Sequence, residues 1–141
     1  MIVKFYDQVE DEKLKFAVIA ARAEGKWVFC KHKARTTFEM PGGHREPGEP
    51  ILDTARRELQ EETGATAFDL QPVCVYSVTG PDNFDGAETY GLLCTARVHA
   101  FGPIDSEMEK IVLTADLPTQ WTYPQIQPKL LAELERRGVI Q

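Results

Sequence analysis

Three glutamates, Glu58, Glu61 and Glu62, are the residues of this chain best suited to do chemistry together. Residues three and four positions apart share one face of a helix, so these carboxylates would lie close together and repel one another. A divalent cation between them would remove that repulsion. Oxygen ligands with no histidine or cysteine nearby are typical of a hard cation, Mg²⁺ or Mn²⁺.

The helix that would carry them is predicted from about Pro50 to Thr63, because proline suits a first helical turn and Gly64 suits a C-terminal stop. At about 100° per residue, Glu58 and Glu62 overlap the apolar stripe of this helix, whereas Glu61 lies on its border. An unpaired buried carboxylate costs several kcal/mol, so the inward pair must be paired, protonated or metal-bound. The apolar stripe consists of Ile51, Leu52, Ala55 and Leu59.

Two interpretations of this helix stay open on geometry alone. A metal site is one, and an ion-pair network with Arg56, Arg57 or nearby lysines is the other, although Arg57 would reach only part of the set. The glycine-rich loop before the helix, from Pro41-Gly42-Gly43 to Pro47-Gly48, lets the backbone approach a ligand closely. An ordinary turn is the alternative for the loop taken in isolation.

Length and composition restrict the class of protein. The 141 residues predict one domain, 1–141, and the net charge of −6 argues against a nucleic-acid duplex as partner. No apolar run reaches the roughly 20 residues of a membrane span, and the first seven residues lack the apolar core of a signal peptide. We therefore expect a cytoplasmic location and no membrane partner. The three cysteines are widely spaced in the sequence, which argues against a zinc site. We expect them to be buried thiols: Cys30, Cys74 and Cys94.

Strands outnumber helices in the remaining pattern. A second helix is predicted from about 125 to 137, ending at Gly138. Helices that separate runs of strands predict a mixed α/β domain with helices packed on the faces of a sheet. The strands are predicted at 14–21, 26–31, 73–79, 88–99 and 108–113.

Loop and helix together resemble the signature of the Nudix hydrolases, G-x5-E-x7-R-E-U-x-E-E-x-G-U, in which U is a bulky aliphatic residue. Five residues separate Gly43 from Glu49, seven separate Glu49 from Arg57, and every fixed position from there to Gly64 matches. Ala65 departs from the pattern because it is small, which concerns packing after the helix. The order of elements also resembles the α/β/α sandwich of this family, with a mixed sheet and a loop-helix-loop catalytic motif.

The resemblance implies a metal-dependent enzyme that hydrolyses a diphosphate linkage in a nucleoside diphosphate joined to another group. A nucleoside triphosphate or an oxidised nucleotide is the expected substrate, and a non-catalytic nucleotide sensor on the same fold is the alternative. Family members are often homodimers, and they pair the arginine at Arg57 with the glutamate at Glu49. The resemblance also implies which groups bind Mg²⁺ or Mn²⁺: the side chains of Glu58, Glu61 and Glu62 and the backbone carbonyl of Gly42.

Substrate contacts and a general base are less specific predictions. Aromatic side chains near the glycine loop and the last helix resemble those that sandwich a base in this family, and core packing is the alternative. Clustered carboxylates raise one another's pKa, so Glu58 or a carboxylate from elsewhere is expected to act as base. The candidate substrate contacts are Phe38, Met40, Trp121, Tyr123 and, for phosphate, Arg35. The candidate extra carboxylates, for which a solvated surface position is the alternative, are Glu88, Glu107 and Glu109.

Overall fold

Seven strands form one sheet in a computed structural model of the chain, which describes residues 1–80, 86–104 and 108–140, without the side chains of 108 and 109. The strands are β1 (Ile2–Tyr6), β2 (Leu14–Ala23), β3 (Lys26–His32), β4 (Gly42–His44), β5 (Ala65–Thr79), β6 (Thr89–Phe101) and β7 (Met108–Thr114). The helices are α1 (Ile51–Thr63), α2 (Gln127–Arg136) and a short 3-10 helix (Asp11–Lys13).

The sheet is mixed, as predicted. Its strand order is β1-β5-β6-β2-β3-β7, and β4 pairs separately with β2. Strands β2 and β6 run parallel, whereas the other pairings of the described strands are antiparallel. The β4 pairing sets Val18 opposite Gly42 and Ala17 opposite Gly43, so the sheet itself fixes where the glycine loop begins.

Each face of the sheet is covered by one α-helix. Ala55 and Leu59 of α1 are fully buried in a cluster with β2 residues such as Ile19. Leu130 and Leu134 of α2 are fully buried in a second cluster on the other face. Each fully buried leucine side chain contributes about 1.5–3 kcal/mol, so both helices are held firmly to the sheet. This layering confirms the predicted α/β/α sandwich.

Helix α1 begins and ends where its sequence signals predicted. Pro50 is the N-terminal cap, and Gly64 ends the helix with φ of 76°, in the left-handed region that glycine adopts without strain. The amide of Gly64 donates to the carbonyl of Gln60 at 2.9 Å. The helix therefore follows the glycine loop directly, and the two form one continuous unit.

Strand β5 is longer than predicted, β1 was not predicted, and β4 forms within the stretch that was interpreted as a loop. The sequence predicted a strand only from residue 73. Strand β5 instead starts at Ala65 and accommodates Pro72 with a register shift between Pro72 and Cys74. All three cysteines are free and buried, as expected. Within the described ranges, no helix has the length and apolar character needed to cross a membrane.

Candidate active site

A bidentate ion pair joins the glycine loop to α1. Arg57 donates from Nε to Oε2 of Glu49 at 2.8 Å and from Nη2 to Oε1 at 3.0 Å, the fork geometry that gives strong pairs. The Thr54 hydroxyl and the Glu46 amide also donate to Oε1 of Glu49. Together these donors lower the pKa of Glu49 to about 2, with Arg57 the largest cause. Arg57 and Glu49 therefore pair as the sequence predicted.

The same guanidinium extends to the helix carboxylates. Nη1 of Arg57 donates to Glu58 at 2.8 Å and lies 3.4 Å from Oε2 of Glu61, while Nη2 donates to the carbonyl of His44. Glu62 receives no hydrogen bond from Arg57 among the contacts of the described residues. The ion-pair network foreseen as an alternative to a metal thus exists, but it satisfies only part of the glutamate set.

Glu58 points inward, as its helical angle predicted. Its side chain is 12% exposed, whereas that of Glu61 is 51% exposed. Burial raises the pKa of Glu58, Arg57 opposes that shift, and the charges of Glu61 and Glu49 add to it. Its carboxylate lies against Gly43, where a Cβ atom would overlap it. The second loop glycine is therefore needed so that Glu58 can occupy this position.

Replacing Gly43 by alanine is expected to destabilise the fold by about 1 kcal/mol, because the flexible end of Glu58 can move aside but gives up its hydrogen bond to Arg57. The new methyl group would displace the Glu58 carboxylate from Arg57. Urea unfolding of Gly43→Ala in the wild-type and Glu58→Ala backgrounds tests this, because the cost should shrink once the overlapping carboxylate is gone. Equal costs in both backgrounds would contradict this explanation of the glycine.

Glu62 is the carboxylate with the most unusual environment. Its Oε1 accepts a hydrogen bond from the Gly42 amide at 2.8 Å, so helix and loop meet here as well. Burial, followed by the charges of Glu58, Glu39 and Glu61, raises its pKa to about 8, while the Gly42 bond opposes the shift. A carboxylate this poorly solvated and flanked by negative charge is stabilised by any cation that reaches it.

The oxygen atoms of the α1 glutamates and of the Gly42 carbonyl are chemically suited to bind a hard divalent cation. In the part of the chain that the structure describes, no three Asp, Glu, His or Cys side chains are already arranged around one metal position. Glu58 is turned toward Arg57 and Glu62 toward the Gly42 amide. Carboxylate and carbonyl oxygens are nevertheless the ligands that Mg²⁺ and Mn²⁺ prefer. Rotation of these two side chains would be needed to bring them to a shared ion.

Two residues that hold the site were missed from the sequence. Thr54 is fully buried and donates to Glu49 at 2.6 Å. Its helical angle, about −60° from Ile51, puts it on the side that carries Glu58, which was a usable signal. The side chain of Gln127 in α2 accepts a hydrogen bond from the Met40 amide at 2.8 Å. The two residues are 87 positions apart, so no local sequence pattern indicates this contact.

The candidate substrate residues lie together but differ in exposure. Phe38 and Trp121 form a β-bridge, and Trp121 packs edge-to-face on Phe29 with centroids 5.4 Å apart. Met40 is 2% exposed and belongs to the core, which agrees with core packing, the alternative to a substrate contact. Tyr123 is 39% exposed. Phe38 and Trp121 therefore pack together against the core, and Tyr123, two residues after Trp121, is the well-exposed one of the three.

Arg35 is tied to this area by Glu39. Its Nη1 donates to Oε1 of Glu39 at 3.0 Å, and its guanidinium lies 5.8 Å from the centre of the Tyr123 ring. The nearby Tyr123 is the largest cause that raises the pKa of Arg35, ahead of Glu39. Glu39 pairs through its main chain with Cys30, and the Cys30 thiol donates to the carbonyl of Glu62 at 3.6 Å, so this pair lies near the end of α1.

The extra carboxylates fall into two groups. Glu88 accepts hydrogen bonds from the hydroxyls of Tyr6, Ser77 and Tyr90, at 2.6, 2.6 and 2.8 Å. These donors, Ser77 first, lower its pKa to about 2, and they come from β1, β5 and β6 rather than α1. Glu107 lies outside the described residues, and for Glu109 the structure gives only the backbone, in β7.

Known proteins resemble the chain in both sequence and structure. It is 36% identical over 80 residues to YtkD of Bacillus subtilis (strain 168), provisionally named an 8-oxo-dGTP diphosphatase. It is 44% identical over 64 residues to an ADP-ribose pyrophosphatase of the same organism. These alignments cover 57% and 43% of this chain, and they span only 50% and 35% of the relatives' lengths.

Among solved structures, the Bacillus subtilis pyrophosphohydrolase BsRppH superposes with a TM-score of 0.79 and 26% identity, over 99% of this chain and 93% of that one. A Nudix hydrolase from Nitrosomonas europaea shares the fold with a TM-score of 0.70 at 18% identity. Residues 11–134 match the family model of the NUDIX domain, a range that contains the glycine loop, the Arg57–Glu49 pair and the carboxylate helix. The chain belongs to the Nudix family.

Proposed function

We propose that the chain is a pyrophosphohydrolase that cleaves the diphosphate linkage of a nucleoside triphosphate or an oxidised nucleotide, with Mg²⁺ or Mn²⁺ as cofactor. The partly buried Glu62, next to Glu58 and opposite the Gly42 amide, carries this proposal. Its local environment favours protonation at neutral pH unless a cation is present. The curated relatives are named as acting on 8-oxo-dGTP and on ADP-ribose, which supports a small nucleotide substrate.

The cation would be held by Glu58, Glu61, Glu62 and the carbonyl of Gly42. When bound, it would supply positive charge that offsets the charge of the diphosphate and would make water more acidic. Arg57, which Glu49 holds against the loop, orients Glu58 in the metal-free protein through the 2.8 Å hydrogen bond, and Glu58 would turn from it toward the cation. Glu58, Glu61 and Glu62 would then act as ligands, with Arg57 as the support beside them.

Hydrolysis requires a base for the attacking water. The water oxygen forms a bond to phosphorus, the bond from phosphorus to the bridging oxygen breaks, and the water proton must be accepted by a nearby group. Glu58 is our candidate, because burial raises its pKa above the ordinary value of a glutamate and so makes it a stronger base. Arg57 opposes that rise, and its contact would have to loosen when the proton is accepted.

The nucleotide end of the substrate is assigned to the area around Tyr123. Aromatic faces stack on bases, and Tyr123 is the best exposed of the three aromatic candidates. Glu39 holds Arg35 beside Tyr123. The Arg35 side chain is 43% exposed, so its guanidinium could donate hydrogen bonds to a phosphate or to a base edge. Phe38 and Trp121 would form the wall behind it.

A substrate panel tests the proposal. We would incubate the protein with dGTP, 8-oxo-dGTP, ADP-ribose and a short 5′-triphosphorylated RNA, with Mg²⁺ or with a chelator, and separate products by ion-exchange chromatography. We expect a nucleoside triphosphate to yield monophosphate and pyrophosphate only when the metal is present. Turnover of none of these compounds under any divalent metal would refute the proposal, and turnover of ADP-ribose alone would refute the triphosphate preference.

A further inference from the structure

Arg45 makes an unusual set of hydrogen bonds for a loop residue. Its Nε donates to the carbonyl of Glu49 at 2.6 Å, and its Nη1 donates to the carbonyls of Asp11 and Leu14 at 2.8 and 3.2 Å. Nη2 pairs with the Asp11 carboxylate at 2.8 Å. The side chain is only 18% exposed. One guanidinium thus joins the glycine loop, the 3-10 helix and the start of β2.

Apolar packing does little to hold this loop. Its residues 46–48 are exposed, and a surface pocket of about 760 Å³ lies between the loop and the 3-10 helix. The main chain enters the loop through β4, where the Arg45 amide donates to the carbonyl of Lys15. Beyond that point, the Arg45 side chain ties the loop to residues 11–14 by hydrogen bonds. Together with the Glu49–Arg57 pair, these hydrogen bonds fix where the loop returns toward α1.

The loop position matters because Glu49 stands at its end. Arg45 holds the main chain of Glu49, while Arg57 and Thr54 hold its side chain. Arg57 in turn donates to Glu58. If Glu49 shifts, the bidentate pair loses its alignment and Glu58 loses the donor that orients it.

We infer that Arg45 is a positioning residue that acts on the candidate catalytic carboxylate Glu58 through Glu49 and Arg57. The family signature leaves position 45 unspecified, since it falls among the five free residues between Gly43 and Glu49. Lysine would not replace it, because an ammonium group cannot reproduce the planar fork that meets three carbonyls. The inference rests on the proposed hydrolysis for its kinetic consequence, but its structural consequence is present without substrate or metal.

The test combines kinetics with NMR of the metal-free protein. In Arg45→Gln and Arg45→Lys, we expect kcat for the nucleotide to fall about 10- to 100-fold, the usual effect of removing a supporting contact, with KM changed less than about threefold. The Nε–H signal of Arg57, protected in the wild type by the 2.8 Å bond to Glu49, should shift and exchange faster in both variants. Thermal unfolding checks that each variant is folded.

Two control variants separate positioning from general effects of charge. Asp11→Asn removes only the ion pair between Arg45 and the Asp11 carboxylate, whose side chain is 69% exposed. Arg22→Gln removes the hydrogen bond that Arg22 donates to the carbonyl of Gly25 in the β2–β3 hairpin. Both should keep kcat and the Arg57 signal near wild type, because exposed pairs contribute little. Full activity in Arg45→Lys, or an unchanged Arg57 signal in both Arg45 variants, would overturn the inference. An inactive wild type would refute the proposed function, whereas the NMR result would still decide the inference.

Discussion

Glu62→Gln is expected to lose about 10³-fold in kcat with Mg²⁺ present. A metal ligand contributes several kcal/mol of charge stabilisation in the transition state, and each 1.36 kcal/mol is tenfold in rate. Glutamine keeps the shape of the side chain and still accepts the hydrogen bond from the Gly42 amide. The loss would therefore reflect missing charge rather than a disturbed fold. Steady-state kinetics on the best substrate of the panel measures it.

Glu135→Gln is the matched control for this experiment. Glu135 is exposed on α2, on the opposite face of the sheet from α1, and the same change of charge there should leave kcat within about twofold. Calorimetric titration with Mg²⁺ should show weaker binding in Glu62→Gln alone. A Glu62→Gln variant that turns over at the wild-type rate would remove Glu62 from the mechanism.

In the metal-free protein, the same substitution is expected to raise the free energy of unfolding at high pH. The folded-state pKa of Glu62 is about 8, above the 4.5 of an unperturbed glutamate, so the folded state binds this proton more tightly than the unfolded state does. Wild-type stability should therefore fall as pH rises from 4.5 to 8 and stay low above that. Glutamine cannot ionise, so the variant lacks this penalty, which is on the order of 5 kcal/mol well above pH 8.

Urea unfolding of both proteins with a chelator, at pH 5 and pH 9, measures the difference. We expect the free energy of unfolding of Glu62→Gln to be clearly higher than that of the wild type at pH 9 and only slightly higher at pH 5. The free energy of unfolding of Glu135→Gln should follow that of the wild type at both pH values. Adding Mg²⁺ at pH 9 should stabilise the wild type far more than the variant, because a ligand of the folded state raises its stability. Parallel pH dependence of wild type and Glu62→Gln would contradict the buried environment of this carboxylate.

Local sequence signals were enough to place the central helix and its inward carboxylates. Proline and glycine at its two ends carry their own conformational preferences, so Pro50 and Gly64 predicted both boundaries. The angle of 100° per residue likewise predicted that Glu58 would point inward and that Glu61 would lie at the border of the apolar stripe, and their side chains are 12% and 51% exposed. These features depend on neighbours in the chain, which a sequence displays directly.

Contacts between distant segments were not predictable in this way. The Arg45 bonds to Asp11 cross 34 positions, and the Gln127 bond to Met40 crosses 87. Strand β1 is short and, among the described strands, pairs with β5 alone, which lies about 70 residues further along, so its partner decides whether it forms. The part of β5 before residue 73 contains Pro72 and forms with a register shift beside it, because tertiary pairing outweighs the local preference.

The most direct test of the central claim is hydrolysis of a nucleoside triphosphate in ¹⁸O-labelled water with Mg²⁺, followed by ³¹P NMR. We predict that the label enters the monophosphate if water attacks the α-phosphorus, or the pyrophosphate if it attacks the β-phosphorus. A chelator or the Glu62→Gln substitution should suppress the incorporation. Unlabelled, intact triphosphate after prolonged incubation, with any divalent cation and with 8-oxo-dGTP as well as dGTP, would contradict the assignment of this site to diphosphate hydrolysis.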